Sequence, residues 1–187
     1  MSETSGDQEL INRVATGDQA AIRTLFARYH VRIFRFILRF VKAEAVAEEL
    51  ANEVFLDVWR NAAKYEGRSS ASTWLLAIAR NRALSYLRKR REESMDDKTA
   101  DQMVDGADSP EISAQKSNKG EIMRACMSRL SPEHGEVIDL VYYHEKTINE
   151  VSEIVGIPVG TVKTRMFHAR QKLSVLLKEA GVDRGWP

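Results

Sequence analysis

The chain has 187 residues with a formal net charge of only +1, and Gly (10) and Pro (4) are scarce. The length allows one ordinary domain or two small ones. A single cysteine excludes an intramolecular disulfide, no apolar run approaches the roughly 20 residues that span a bilayer, and no signal peptide is visible in residues 1–20, so we expect a cytoplasmic protein without membrane insertion.

Hydrophobic residues recur at helical spacing along nearly the whole chain, which predicts an all-α protein. Asp18 is the expected N-cap of an early helix. The apolar run over residues 33–41 is too dense for a surface helix and should lie at the centre of a first core. The remaining elements of this half are a third helix, a loop and a fourth helix, predicted over residues 44–61, 64–72 and about 73–91.

Residues 92–120 lose this periodicity and are rich in Asp, Ser, Gly and Lys, which predicts a flexible acidic linker. Two small helical bundles joined by that linker are therefore the expected architecture. The short tail after the second bundle contains Trp186 and either frays or serves as a docking peptide. The predicted boundaries are 8–91 for the first domain, 92–120 for the linker, 121–180 for the second domain and 181–187 for the tail.

The second bundle has the outline of a helix-turn-helix. Thr147 and Glu150 fit a capping box at the start of a short helix. Gly156 ends that helix, and Pro158 opens a long final helix that runs to about Ala180.

The final helix has one apolar and one basic face. Val162, Met166 and Ala169 fall on the apolar face and should be buried. In a helix-turn-helix the first half of the second helix enters the major groove, where Arg and Thr reach base edges and Lys contacts phosphates. The residues expected to face DNA are Gly160, Thr161, Lys163, Thr164, Arg165, His168, Arg170 and Lys172.

Basic residues concentrate in two segments. Residues 71–91 contain six basic and no acidic side chains, and residues 158–178 contain five and none. The residues 92–120 between them contain eight acidic and three basic side chains. For either segment alone, a solvated charged face is the ordinary interpretation. Together they predict two nucleic-acid contacts separated by a spacer that the same polyanion repels.

The third helix has a polar stripe opposite its predicted core face. Glu49, Asn52, Glu53, Leu56 and Arg60 share this stripe. A single exposed leucine usually means nothing, but a leucine with charged neighbours at helical spacing favours docking on a helix of another protein.

The fourth helix has a second face that begins with Trp74 and Ile78. This face then turns polar, and the loop before it is flexible enough to close around an unstacked base. By residues alone, this is only a basic helix near a polar loop. The polar positions on it are Asn81, Ser85, Arg88 and Lys89.

Two segments resemble a known family. ELANEVFLDVWRN, followed by a short loop and STWLLAIARNRALSYLRKR, resembles the first module of the extracytoplasmic-function group of the sigma-70 family. EVSEIVGIPVGTVKTRMFHARQKL resembles the promoter-reading module of sigma factors and, less closely, the DNA-binding module of response regulators. The resemblance implies a sigma factor that binds core RNA polymerase and promoter DNA and initiates transcription, for a stress or environmental response.

The resemblance also implies roles for individual residues. The acidic helix would dock on the clamp helices of the polymerase β′ subunit, through Glu49, Asn52, Glu53, Leu56 and Asp57. In the family the loop captures a flipped base of the −10 element, and the following helix holds the −10 DNA. This implicates Lys64, Tyr65, Arg68, Ser69, Arg80, Asn81, Ser85, Arg88 and Lys89. The second module would read the −35 element with the residues given above for the final helix and with Thr147.

Other classes of protein remain as alternatives. A stand-alone helix-turn-helix regulator would need an effector domain in residues 1–91, and no β/α pattern or ligand pocket is visible there. The four histidines lack metal-ligand spacing, and no phosphate loop or catalytic triad stands out, so we expect neither an enzyme nor a cofactor. The resemblance further implies an anti-sigma factor as a partner.

Overall fold

The computed structural model describes residues 3–96 and 117–182, and within these ranges every regular element is a helix. Contacts divide the described residues into two compact units, which agrees with the predicted all-α class of two bundles. The first unit contains α1 (Glu3–Ala15), α2 (Gln19–Val41), α3 (Glu44–Asn61), a 3₁₀ turn (Ala62–Lys64) and α4 (Ala71–Asp96). The second contains α5 (Ser117–Ser128), α6 (Pro132–Tyr142), α7 (Ile148–Val155) and α8 (Val159–Glu179).

Helix α2 forms the centre of the first unit, where it contacts α1, α3 and α4. Ile33, Phe36 and Ile37 are completely buried, and the Phe36 ring meets Phe40 edge-on with 5.2 Å between centroids. Each such side chain contributes roughly 1.5–3 kcal/mol by its removal from water. The prediction that the apolar run over residues 33–41 lies at the core is confirmed for Ile33, Phe36, Ile37 and Val41, whereas Phe34, Leu38 and Phe40 are half-buried.

Local sequence signals set both ends of α2. The Asp18 carboxylate accepts hydrogen bonds from the backbone N–H groups of Ala20 (2.8 Å) and Ala21 (3.2 Å), which confirms it as the N-cap. Arg13 donates to the other carboxylate oxygen, and this bond is the largest cause of the lowered pKa of Asp18. At the far end, Lys42 adopts a left-handed φ of 54° and stops the helix.

Helix α8 is the common partner in the second unit, because α5, α6 and α7 all pack on it. Val162, Met166 and Ala169 are buried, as predicted from their spacing. The thiol of Cys126 is also buried. The apolar face of α8 is therefore fixed inside the unit, and its opposite face remains available.

Helices α7 and α8 form the predicted helix-turn-helix. The Thr147 hydroxyl accepts from the Glu150 N–H at 3.2 Å, and the Glu150 carboxylate accepts from the Thr147 N–H at 3.0 Å. This capping box is the predicted one. Gly156 ends α7 with a left-handed φ of 72°, and Pro158 occupies the N-cap of α8, where its missing N–H costs nothing.

Two helix ends differ from the predicted ones. Helix α4 continues to Asp96 and α5 begins at Ser117, so both extend into the predicted linker. The ends were predicted from the positions where the apolar periodicity stops. A helix can continue into solvent beyond its last buried residue, so this periodicity underestimates its length. Residues 97–116 and 183–187, which include the middle of that linker and Trp186, lie outside the described residues. No described helix is long and apolar enough to cross a bilayer.

Candidate nucleic-acid and protein interfaces

The outward face of α3 carries most of the predicted docking stripe. Glu49 and Asn52 are exposed, and 53% of the Leu56 surface is accessible. Trp59 lies three residues after Leu56 and is 38% exposed. Sequence reasoning missed Trp59, although its spacing from Leu56 was a usable signal. Aromatic residues are enriched at protein interfaces, so two large apolar side chains now mark this face.

The family resemblance implied that Asp57 also docks on polymerase, and the structure places its side chain against α4. Its carboxylate is 17% exposed and accepts from Nε and Nη2 of Arg82, each at 2.5 Å. Glu53 accepts from Nη1 of the same guanidinium at 3.1 Å. A two-pronged bond of this kind is the strong form of a guanidinium–carboxylate pair, and the bond to Asp57 is the main cause of the raised pKa of Arg82. Asp57 therefore holds α3 to α4, and its contact with polymerase stays a prediction.

An open groove of about 450 Å³ lies beside this ion pair, between α3 and α4. Two amide side chains, two cations and an indole line it, so it offers hydrogen-bond donors, acceptors and a stacking surface. Three of the residues that were expected to bind DNA lie here. The lining residues are Asp57, Asn61, Lys64, Trp74, Ile78, Asn81, Arg82 and Ser85.

The loop 65–70 is folded on itself by its own side chains. The Tyr65 hydroxyl donates to the Ser69 carbonyl at 2.6 Å, and the Tyr65 ring lies 4.9 Å from that of Trp74. Burial raises the pKa of Tyr65, with a further contribution from the Asp7 carboxylate. These two contacts of Tyr65 shape the loop, and its expected contact with DNA stays a prediction.

The cations next to this loop are exposed. Lys64 ends the 3₁₀ turn, and the Arg68 side chain is 84% exposed, with Glu66 as its ion-pair partner. On α4, the predicted polar face is mostly exposed, and only Arg80 is half-buried. Lys89 lies 3.7 Å from Glu93. The exposed members on α4 are Asn81, Ser85, Arg88 and Lys89.

Most of the residues on α8 that were expected to face DNA are exposed, and they are Gly160, Thr161, Lys163, Thr164, His168, Arg170 and Lys172. Arg165 is half-buried. Its charge helps to lower the pKa of Glu133, after hydrogen bonds from the backbone of Glu133 itself and from Ser131. Thr147 is exposed, but its hydroxyl is engaged in the capping box.

Phe167 is a residue of the α8 surface that sequence reasoning missed. It is 64% exposed, and its ring lies 5.4 Å from that of His168. Its place between Thr164 and His168 in the sequence puts it on the same outward arc of the helix. A phenylalanine here can contact the methyl group of thymine.

A metal centre is not among the candidate sites. Within the described ranges, no group of three or more His, Cys, Asp or Glu side chains could hold a metal ion.

Comparison with known families matches both units. Residues 25–93 match the model of sigma-70 region 2, and residues 126–174 match that of sigma-70 region 4. The chain is 30% identical over 159 residues to the ECF RNA polymerase sigma factor RpoE of Cereibacter sphaeroides, covering 83% of this chain and 86% of that protein. It is 29% identical over 187 residues to the RNA polymerase sigma-H factor of Pseudomonas aeruginosa, covering 93% and 97%.

Solved structures show the same fold at lower identity. RpoE of Bartonella quintana, solved with the anti-sigma factor NepR, has a TM-score of 0.73 at 24% identity, covering 87% of this chain and 98% of that one. CnrH, solved with the cytosolic domain of CnrY, has a TM-score of 0.68 at 22% identity, covering 92% and 97%.

The ion pair between α3 and α4 predicts a measurable coupling. Asp57→Ala and Arg82→Ala should each lower the free energy of unfolding, and the double variant should lose about 1 kcal/mol less than their sum. Urea unfolding of the full chain, followed by the fluorescence of Trp59 and Trp74, measures this. The exposed pair Lys89–Glu93 is the matched control, whose coupling should stay below about 0.5 kcal/mol. Equal coupling in the two pairs would contradict the proposed role of Asp57.

Proposed function

Since this chain belongs to the extracytoplasmic-function group of the sigma-70 family of RNA polymerase sigma factors, it is a transcription initiation factor, and we propose how its two units divide that task. The first unit docks on core polymerase and holds the −10 element, and the second reads the −35 element. The observation that carries this is that each unit presents a basic helix without acidic residues, over 71–91 in α4 and 159–178 in α8.

The docking surface of the first unit is the exposed stripe of α3. Leu56 and Trp59 supply apolar area, and Glu49 and Asn52 supply polar contacts around it. We assign this surface to the clamp helices of the β′ subunit. The Arg82 ion pair supports the assignment, because it fixes α3 to the helix that handles DNA. Docking of α3 thereby sets the position of α4 on the promoter.

The −10 element is held by the loop 65–70 and the polar face of α4. Separating base pairs costs roughly 1.4 kcal/mol per step from stacking alone, and a protein without nucleotide hydrolysis must recover this by binding the opened strand. Stacking of one extruded base returns about 1–3 kcal/mol. The compact loop supports such a role, and the exposed Arg88 and Lys89 of α4 suit the phosphates of the same strand.

The −35 element is read by α8 in the major groove. Thr161, Thr164 and Arg165 occupy the first half of the helix, where side chains reach base edges. The remaining cations of the exposed face, Lys163 and Arg170 among them, contact phosphates. The stand-alone regulator loses its basis here, because the region 2 match over residues 25–93 occupies the place of an effector domain.

We also propose that an anti-sigma factor binds this chain and regulates it. The two similar structures are both complexes, one with the anti-sigma factor NepR and one with the cytosolic domain of CnrY. Leu56 and Trp59 are exposed. An anti-sigma factor that bound them would compete directly with polymerase for the same surface. We assign the chain to the cytoplasm, where polymerase works. We further propose that it serves a response to stress or environment, and that it acts by binding rather than by catalysis.

Run-off transcription with purified core polymerase tests the proposed function. The chain should direct transcripts from promoters selected out of a random library, and alone it should bind the same duplexes weakly, because the opened strand is presented only with polymerase. A tight, sequence-specific footprint by the free chain would contradict this division of labour, as would core enzyme that gains no promoter preference from it.

Leu56→Glu should abolish association with core polymerase, because it places a charge in the apolar centre of the docking stripe. The cost of an unpaired charge at a protein interface is several kcal/mol. Co-purification with core enzyme measures it. Val31→Glu on α2 is the matched control, because Val31 is 56% exposed and lies outside the stripe. Retained association of Leu56→Glu would remove α3 from the interface.

Arg165→Ala should relax the −35 preference by about 1–3 kcal/mol at the base pair it contacts. The preference is measured by run-off transcription from single-base variants of the −35 element. Lys178→Ala, in the last turn of the same helix, is the control for loss of one positive charge. If both variants weaken all promoters equally, Arg165 contacts phosphate or serves only the fold.

A further inference from the structure

The beginning of α1 lies against the loop 65–70. Helix α1 contacts the 3₁₀ turn before the loop. A Cβ added to Gly67 would overlap Nε2 of Gln8 and lie 3.2 Å from its Cδ. Gly67 also has a φ of 68°, a conformation that other residues rarely adopt. The absence of a side chain at Gly67 therefore leaves room for the Gln8 carboxamide directly over the loop backbone.

An ion pair between the buried Asp7 carboxylate and the half-exposed Arg28 fixes this part of α1 on α2. The Asp7 carboxylate is 8% exposed and accepts from Nη1 of Arg28 at 2.5 Å. The Tyr29 hydroxyl donates to its other oxygen. Gln8 follows Asp7 in the sequence, so its backbone is held in place by a contact that lies outside the loop. The packing of α1 on α2 therefore places the Gln8 side chain over Gly67.

The Gln8 carboxamide itself is not used by the fold. Gln8 is exposed, and among the residues that the structure describes its side chain makes no hydrogen bond. A carboxamide carries two donor hydrogens and one acceptor oxygen. A base that leaves the stack presents its Watson–Crick and Hoogsteen edges to the protein. A glutamine side chain can match such an edge in two hydrogen bonds, as it does with N6 and N7 of adenine.

We propose that Gln8 is a specificity-determining residue whose carboxamide hydrogen-bonds the edge of the DNA base that the loop 65–70 takes from the opened −10 strand. This inference rests on the proposed function of that loop. The proposal adds α1 to the elements that read the promoter. Gln8 and Gly67 are 59 positions apart in the sequence. Asp7 is a positioning residue for this contact.

Transcription by holoenzyme from a promoter library with a randomised −10 element tests the proposal. Gln8→Ala should lose base preference at one position of the element by roughly 5- to 100-fold, the effect typical of one base contact, and keep its preferences at all others. Gln19→Ala, which removes another exposed amide at the start of α2, is the matched control and should change no preference.

An abasic nucleotide at the affected position gives the second measurement. Wild-type holoenzyme should lose opened-complex formation on this template, and Gln8→Ala should lose little more, because the partner of its side chain is already missing. A uniform loss of transcription from all −10 sequences by Gln8→Ala would show a merely structural role and overturn the inference.

The loop variant Gly67→Ala distinguishes the proposed function of the loop from the proposed role of Gln8. If it relaxes one −10 position while Gln8→Ala relaxes none, the loop takes a base and the Gln8 contact is wrong. If neither variant alters any −10 preference while the −35 preference persists, the loop takes no base, and the proposed function of the loop fails as well.

Discussion

Each helix of the first unit must give one face to a small core, and this constraint decides what remains for binding. Helix α2 is surrounded by α1, α3 and α4 and buries Ile33, Phe36 and Ile37 completely. Its neighbours therefore keep their outward faces. On α3 that face carries Leu56 and Trp59, and on α4 it carries the cations. In a unit this small, the proposed surfaces for protein and for DNA therefore lie on neighbouring helices, α3 and α4, that share one core and are joined by the Arg82 ion pair.

Polar contacts then settle which outward side chains are available. Of the six cations between residues 71 and 91, Arg82 is held by Asp57 and Glu53, and Lys89 lies near Glu93. In the proposed complex, the positive charge that α4 offers to DNA is therefore smaller than the count of its basic residues. Each phosphate contact contributes about 0.7 to the salt dependence on a single strand, so the dependence of −10 binding should reflect the cations that remain outside such pairs.

Short-range signals made much of the fold predictable. Asp18, Thr147 with Glu150, and Gly156 act within a few residues of their own position, and each end was predicted correctly. The exposed faces of α3, α4 and α8 also followed from helical spacing. What sequence reasoning could not supply were contacts between distant residues. The partners of Arg82 lie 25 and 29 positions away, and Gln8 meets Gly67 only because α1 folds back on the loop. The contacts of Tyr65 with Ser69 and Trp74 were likewise not predicted.

The two faces of α8 separate folding from recognition. Val162, Met166 and Ala169 are fully inside the unit, while Thr161, Lys163 and Thr164 are outside it. Substitutions of the outward residues therefore leave the core packing of the unit unchanged. Surface substitutions away from structural features usually change stability by less than about 0.5 kcal/mol. Such a helix can acquire a new target without first becoming unstable. Under the proposed role of α8, a change of promoter preference therefore requires substitutions on this one face alone.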